Sequence, residues 1–230
     1  MKKIILFFIL CLPALVVTAQ RDLSGAYGYT SSPQAENVPE AEKDNGYSGT
    51  LILLKMEGNT YRFFLEVTTG WPNYHIGELD GTIVFKNDSA TYSDADEDPE
   101  EPCILKFRVN GETIQINSMN TSFNCEFGQG VYADGDFPWL KKQPQLNNAW
   151  LRRQYSQSPR ARVTTPKAVI YKDEKCMVPY TPGKYFIKDD ELLAIAESGK
   201  SIYTEFITPS GKLVYGWVLK KDIQITNSQD

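Results

Sequence analysis

The chain has 230 residues, 24 Lys and Arg against 29 Asp and Glu, one histidine and a formal charge of −5. An acidic chain without a concentrated basic face does not suit a phosphate backbone, which excludes nucleic acid as the expected partner. A single histidine also restricts any nucleophile–base pair to groups within reach of His75.

The first residues are Met1-Lys2-Lys3, then an apolar run from Ile4 to Val17, then Thr18-Ala19-Gln20. A short positive start, an apolar stretch too short to span a bilayer comfortably and small residues before a cut predict a signal peptide over 1–19, cleaved after Ala19. The expected location is periplasmic or secreted, with no transmembrane segment after signal removal. Cys11 lies inside the apolar run and leaves with it. The larger Leu10 before it does not fit lipoprotein processing. Charge is uneven along the remainder: 20–142 carries 20 acids and 9 bases, 143–230 carries 9 acids and 13 bases. That asymmetry predicts two domains, 20–142 and 162–230, joined by a linker over 143–161.

Three cysteines survive processing. In an oxidising compartment disulfides persist, and an odd count leaves one thiol over. Cys103 and Cys125 share the first domain and flank a predicted hairpin, so they are expected to pair, with Cys176 free or intermolecular.

The first domain is written in strand period. Gly58-Asn59 reads as a two-residue turn between "LILLKME" and "TYRFFLEV", placing Met56 opposite Tyr61, Leu54 opposite Phe63 and Ile52 opposite Leu65. Around Asn87-Asp88, Phe85 opposes Ala90 and Ile83 opposes Tyr92. Around Asn110-Gly111, Phe107 opposes Ile114 and Leu105 opposes Ile116, with Cys103 continuing the inward row. With Ser24–Tyr29 before and Gly130–Asp136 after, an all-β antiparallel meander of about eight strands is expected, closed as a small barrel or packed as a sandwich. The acidic, turn-rich stretches Ser31–Asn45 and Asp94–Pro102 read as exposed loops.

"CEFGQGVYADGDF", Cys125 to Phe137, is similar to a run in small exported bacterial β-barrel modules, and "SGAYGY", "GELDGTIVF" and "CILKF" fit the same module. Related modules accompany envelope proteins of the lysozyme-inhibitor-like sort. The resemblance implies a fold and a disulfide, and no inhibitory loop matches residue by residue.

The linker holds a predicted helical turn over Asn148–Gln154, capped by Asn147 or Asn148. Arg152, Arg153, Arg160 and Arg162 supply the positive surplus of the second half. They either meet an anionic polymer or lipid, or dock the linker on the acidic first domain; the docking reading is preferred. Short strands follow: "AVIY", "KYFI", "ELLAIAES", "IYTEFI", "LVYGWVL" and "IQI". This order resembles the bacterial SH3-like domain over roughly the last 60 residues. Lys188-Asp189-Asp190 stands where the family commonly has a Lys-Gly-Asp turn, and Gly216-Trp217-Val218 with Lys221-Asp222-Ile223 is its closing signature. The stretch Ser201-Ile202-Tyr203 lacks the Trp that many members carry. The resemblance implies a second small barrel. In it, Trp217 with Tyr171, Tyr180, Tyr185 and Tyr203 lines a ligand groove, or Trp217 belongs to the core.

Catalysis is not expected. By parity His75 joins the inward row of Gly77, Leu79 and Ile83. Asp94, Asp96 and Asp98 have the opening spacing of a calcium loop, but Pro99 replaces its glycine and Leu105 its closing glutamate, so no metal is expected. No cofactor motif is present. The sequence therefore reads as a non-catalytic exported binding protein whose SH3-like domain engages a cell-wall peptide or an envelope protein. The alternative is a lysozyme-inhibitor-like protein whose acidic first domain binds a basic enzyme.

Overall fold

The computed structural model describes residues 21–33, 37–119 and 121–226; the expected signal peptide lies outside them. Strands β1 (Gly25–Thr30), β2 (Ser48–Lys55), β3 (Thr60–Thr68) and β4 (Ile76–Val84) form one antiparallel sheet in chain order. Strands β5 (Ser89–Ser93), β6 (Ile104–Asn110), β7 (Thr113–Asn117) and β8 (Gly135–Pro138) form a second. The eight expected strands are there, as two sheets without a continuously closed ladder. Single bridges, Lys86 with Ser89 and Tyr27 with Trp139, stitch the sheet edges together.

Both sheets contribute to one core. Tyr27, Leu51, Leu53, Tyr61 and Phe63 from the first meet Leu105, Phe107, Ile114 and Phe137 from the second, and the Phe63 and Phe107 rings lie 5.3 Å apart. Cys103 and Cys125 are bonded within this core. The hairpins also correct the expected registers. The first loop spans Met56–Asn59, closed by the Met56 and Thr60 amides, and sets Lys55 opposite Tyr61 and Leu53 opposite Phe63. This one-residue slip sends Leu51 and Leu53 to the core instead of Ile52 and Leu54, because a period of two turns any odd shift into a change of face. The pairing around Asn87-Asp88 stops at Lys86–Ser89, so Phe85 and Ala90 are buried while β5 pairs with β6. The third loop sits at Gly111-Glu112, with Phe107 opposite Ile116 and Val109 opposite Ile114. That shift is even, and the inward face is the expected one.

After helix α1 (Asn148–Gln154), whose N-cap Asn147 accepts from the Trp150 amide, the described residues make seven more strands. They are β9 (Arg160–Val163), β10 (Lys167–Val169), β11 (Tyr185–Ile187), β12 (Glu191–Ser198), β13 (Ser201–Ile207), β14 (Leu213–Leu219) and β15 (Ile223–Thr226). The order β14-β13-β12-β9-β15 builds a five-stranded sheet, with β10 and β11 as a separate ribbon over the same core of Ala161, Ile170, Phe186, Leu192, Ile202 and Val218. Strand β9 begins inside the expected linker, because Ala161 and Val163 alternate inward with the half-buried Arg160 and the exposed Arg162. Asp189 takes φ 73°, the left-handed conformation a glycine adopts most easily. Gly216 takes φ 142°, and a Cβ there would lie 2.5 Å from the Ile170 side chain and 2.7 Å from the Tyr171 carbonyl. The close approach of β14 to residues 170–171 therefore requires glycine.

A third apolar cluster joins the two halves. Ile52, Leu54 and Phe64, on the outer face of the first sheet, pack with Trp150 and Leu151 of α1 and with Leu193, Ile207 and Leu213. The Phe64 ring takes the edge of Trp150 at 5.1 Å and Tyr155 at 6.0 Å. At the margin of this cluster the Arg62 guanidinium lies 2.5 Å from Asp80 and 3.3 Å from Glu205 of β13, and it donates to the Tyr155 hydroxyl. Tyr155 donates onward to Asp80 at 2.7 Å.

Two stability predictions follow from these contacts. Replacing Arg62 by Met leaves the Glu205 carboxylate buried without its cation and should cost about 3–5 kcal/mol in urea unfolding at neutral pH, most of it recovered in Arg62→Met/Glu205→Met. Removing the Cys103–Cys125 bridge by paired Ala substitution frees a 22-residue loop, and should cost about 3 kcal/mol. An unfolding midpoint unchanged in either case contradicts the corresponding assignment.

Candidate functional site

The five aromatic residues expected to line one groove separate into three settings. Trp217 and Tyr203 are cross-strand partners on β14 and β13, half-buried, with rings 5.5 Å apart and meeting edge to face. Strand alternation sends Gly216 and Val218 to the C-terminal core and Trp217 to the opposite face, so Trp217 is outside that core. Tyr171 joins it through the backbone, exchanging two hydrogen bonds of 2.8 and 2.9 Å with Trp217. Tyr180, by contrast, is a core residue, buried against Tyr215 at 6.2 Å. Tyr185 stands 48% exposed on β11 with the Lys167 ammonium 4.0 Å above its ring. Trp217, Tyr203 and Tyr171 therefore form one aromatic edge, while Tyr180 and Tyr185 belong elsewhere.

Burial, and after it the Glu205 carboxylate two residues on, hold the Tyr203 phenol well above its ordinary value. It remains a hydrogen-bond donor at any physiological pH. Burial likewise pushes the Glu205 carboxyl above its ordinary 4.5, against the pull of Arg62. One Glu205 oxygen has no hydrogen-bond partner.

Two cavities lie away from the aromatic edge, and sequence reading located neither. The first, about 680 Å³, runs between α1 and the outer face of the first sheet, with Phe64, Trp150 and Tyr155 on its apolar side and Glu66, Glu78, Lys142 and Arg153 among its charges. No sequence signal could reveal it, because its walls come from β2–β4 and from a helix some 70 residues later. The second, about 660 Å³, is acidic: Glu78, Asp94, Glu97, Asp98 and Glu126 line it beside Cys125. Next to it the 121–134 stretch, tied down by the disulfide, displays Phe123 at 75% and Tyr132 at 51% exposure. Their rings touch at 6.4 Å.

The remaining sequence candidates fall apart in space. His75 is half-buried just before β4, and its Nδ1 donates to the Gln129 carbonyl at 2.5 Å. Cys176 is an unpaired, half-buried thiol in the loop before Tyr180, and burial raises it above its ordinary value. Among the described residues no three His, Cys, Asp or Glu side chains are grouped to hold a metal. The linker arginines correct their expected role. Arg152 pairs with Glu191 and Arg162 with Asp189, both carboxylates of the C-terminal half. The linker instead meets the acidic half through Trp150 and Tyr155.

Since Trp217 lies outside the core, Trp217→Ala should fold and lose under about 2 kcal/mol, against 3–5 for a truncated core tryptophan; a larger loss in urea unfolding would make Trp217 structural. For Glu205, a native pKa above the unfolded value means that its contribution is fully present at low pH and is lost as pH rises through the native value. As pH rises above the ordinary carboxyl value of 4.5, the stability of Glu205→Gln should therefore increase relative to that of the unaltered chain; the opposite trend would place the carboxyl below its ordinary value. Comparison with protein-family models, with curated proteins and with solved structures returned no match to this chain, so its function is argued from its own geometry.

Proposed function

We propose that this chain is an exported, non-catalytic binding protein whose C-terminal half engages cell-wall peptide, with a protein of the envelope as the alternative occupant. The observation that carries the reading is the placement of Trp217 and Tyr203 as a half-buried pair outside the C-terminal core. A large aromatic that its own fold does not need for packing, held by a cross-strand neighbour, offers rigid contact area at little conformational cost. The SH3-like order of the last strands, the signal-like first 19 residues and the disulfide support the same compartment and class. In that reading Gly216 sets the strand path, Trp217 and Tyr203 supply the contact and Tyr171 fixes its edge.

The chain from Gln20, oxidised, should co-sediment with purified peptidoglycan sacculi, and folded Trp217→Ala and Tyr203→Ala variants should not. Retention of binding by both variants would remove the aromatic edge from the site.

A second reading has its own observation. The acidic cleft beside Cys125, with Phe123 and Tyr132 exposed next to it, suits a basic protein, as a lysozyme-inhibitor-like activity would require. Titration with a basic lysozyme should then show binding at low salt that weakens with added salt, and no binding at low salt would exclude this partner.

A further inference from the structure

The cavity between α1 and the first sheet holds polar side chains of two kinds. Some are committed to the fold: Asp80 to Arg62 and Tyr155, and the Gln143 amide to both backbone groups of Ala26. Others have no such commitment. Glu66 of β3 and Glu78 of β4 stand directly opposite one another across the antiparallel ladder, both exposed. Thr50 of β2 continues the row. Like charges at directly opposed positions oppose sheet formation. Among the described residues neither carboxylate has an ion-pair partner within 4.0 Å. Lys142 and Arg153, which line the same cavity, have none either. Two carboxylates on the sheet and two cations, one on α1 and one in the segment before it, therefore line a space of about 680 Å³ with no carboxylate within 4.0 Å of a cation. Ile52, Phe64, Leu140 and Trp150 give the same space an apolar wall.

A filled site with this layout needs a ligand whose positive and negative ends are separated by a short, largely neutral body. We infer that this cavity binds a short peptide with both termini free, its ammonium group between Glu66 and Glu78 and its carboxylate against Lys142 and Arg153. The volume falls in the range of ordinary ligand sites. A dianion would meet Glu66 and Glu78, and a dication would meet Lys142 and Arg153, so the arrangement selects for the zwitterion by repulsion as well as attraction. Trp150 and Tyr155 are each packed edge to face against Phe64 and form a fixed wall. The inference is independent of the aromatic edge at Trp217, which lines a different part of the molecule.

Titration calorimetry of the oxidised chain with tri-alanine, N-acetyl-tri-alanine and tri-alanine amide tests this assignment. Tri-alanine should bind saturably, and capping either end should weaken it by about tenfold or more, a loss of about 1.4 kcal/mol or greater. Glu78→Gln should weaken tri-alanine and the amide while leaving the acetylated peptide unchanged, and Arg153→Gln should do the converse. Both positions are exposed, so the variants should keep the thermal midpoint of the unaltered chain. Trp217→Ala should bind tri-alanine normally, which separates this site from the proposed one. Absence of saturable binding, or equal binding of free and capped peptides, would overturn the inference.

Discussion

Arg62 is the side chain on which the arrangement of the two halves depends. It rises from β3 on the face of the first sheet that does not enter the N-terminal core, and it is 9% exposed. A guanidinium buried that deeply needs anions held at its fork, and it has Asp80 from its own sheet and Glu205 from β13. The Tyr155 hydroxyl at the end of α1 adds a neutral acceptor, while the buried Nε has the Glu205 charge nearby but no hydrogen-bond partner of its own. One side chain thus ties together a strand of the first half, the helix between the halves and a strand of the second. The apolar cluster around it, Leu54 and Phe64 against Trp150, Leu193 and Ile207, excludes water from the pair and makes its geometry consequential.

Net charge does not describe this junction. The first half is strongly acidic and the second basic, yet the buried cation belongs to the acidic half and the buried anion to the basic one. At the rim the sense reverses. Glu57, in the β2–β3 loop, lies 3.4 Å from Lys172 and 3.8 Å from Lys184, and its amide donates to the Tyr215 hydroxyl at 3.1 Å. Those half-exposed pairs contribute little each and serve to orient the loop. Specific burial at the centre, not the overall charge difference, joins the halves.

What could be read in the sequence follows the same division. Period-two alternation identified the inward rows of β3 and β6–β7 and the inward Cys103, and residue type put the helix cap at Asn147 or Asn148, of which the structure uses Asn147. Each depends on one strand, one turn or one cap. Leu51 to Leu54 misled because all four are buried: with both faces of β2 covered, hydrophobicity no longer distinguishes the two registers, and the turn length alone decides. The aromatic edge was half legible, since spacing on β13 and β14 pairs Tyr203 with Trp217 but does not show Tyr180 entering the core. Glu205 and Arg62 gave no signal, because each lies in an ordinary strand and gains its meaning from a partner 143 positions away. The groove under α1 was hidden for the same reason.

On this account the aromatic edge is peripheral and the shared junction, with the cavity beside it, is central, so the two halves should unfold as one unit. Hydrogen exchange followed amide by amide through a urea series, comparing β3 with β13, is the most direct measurement. The account predicts that both strands lose protection together at a single midpoint. Loss of β13 protection at a urea concentration where β3 remains fully protected would contradict it.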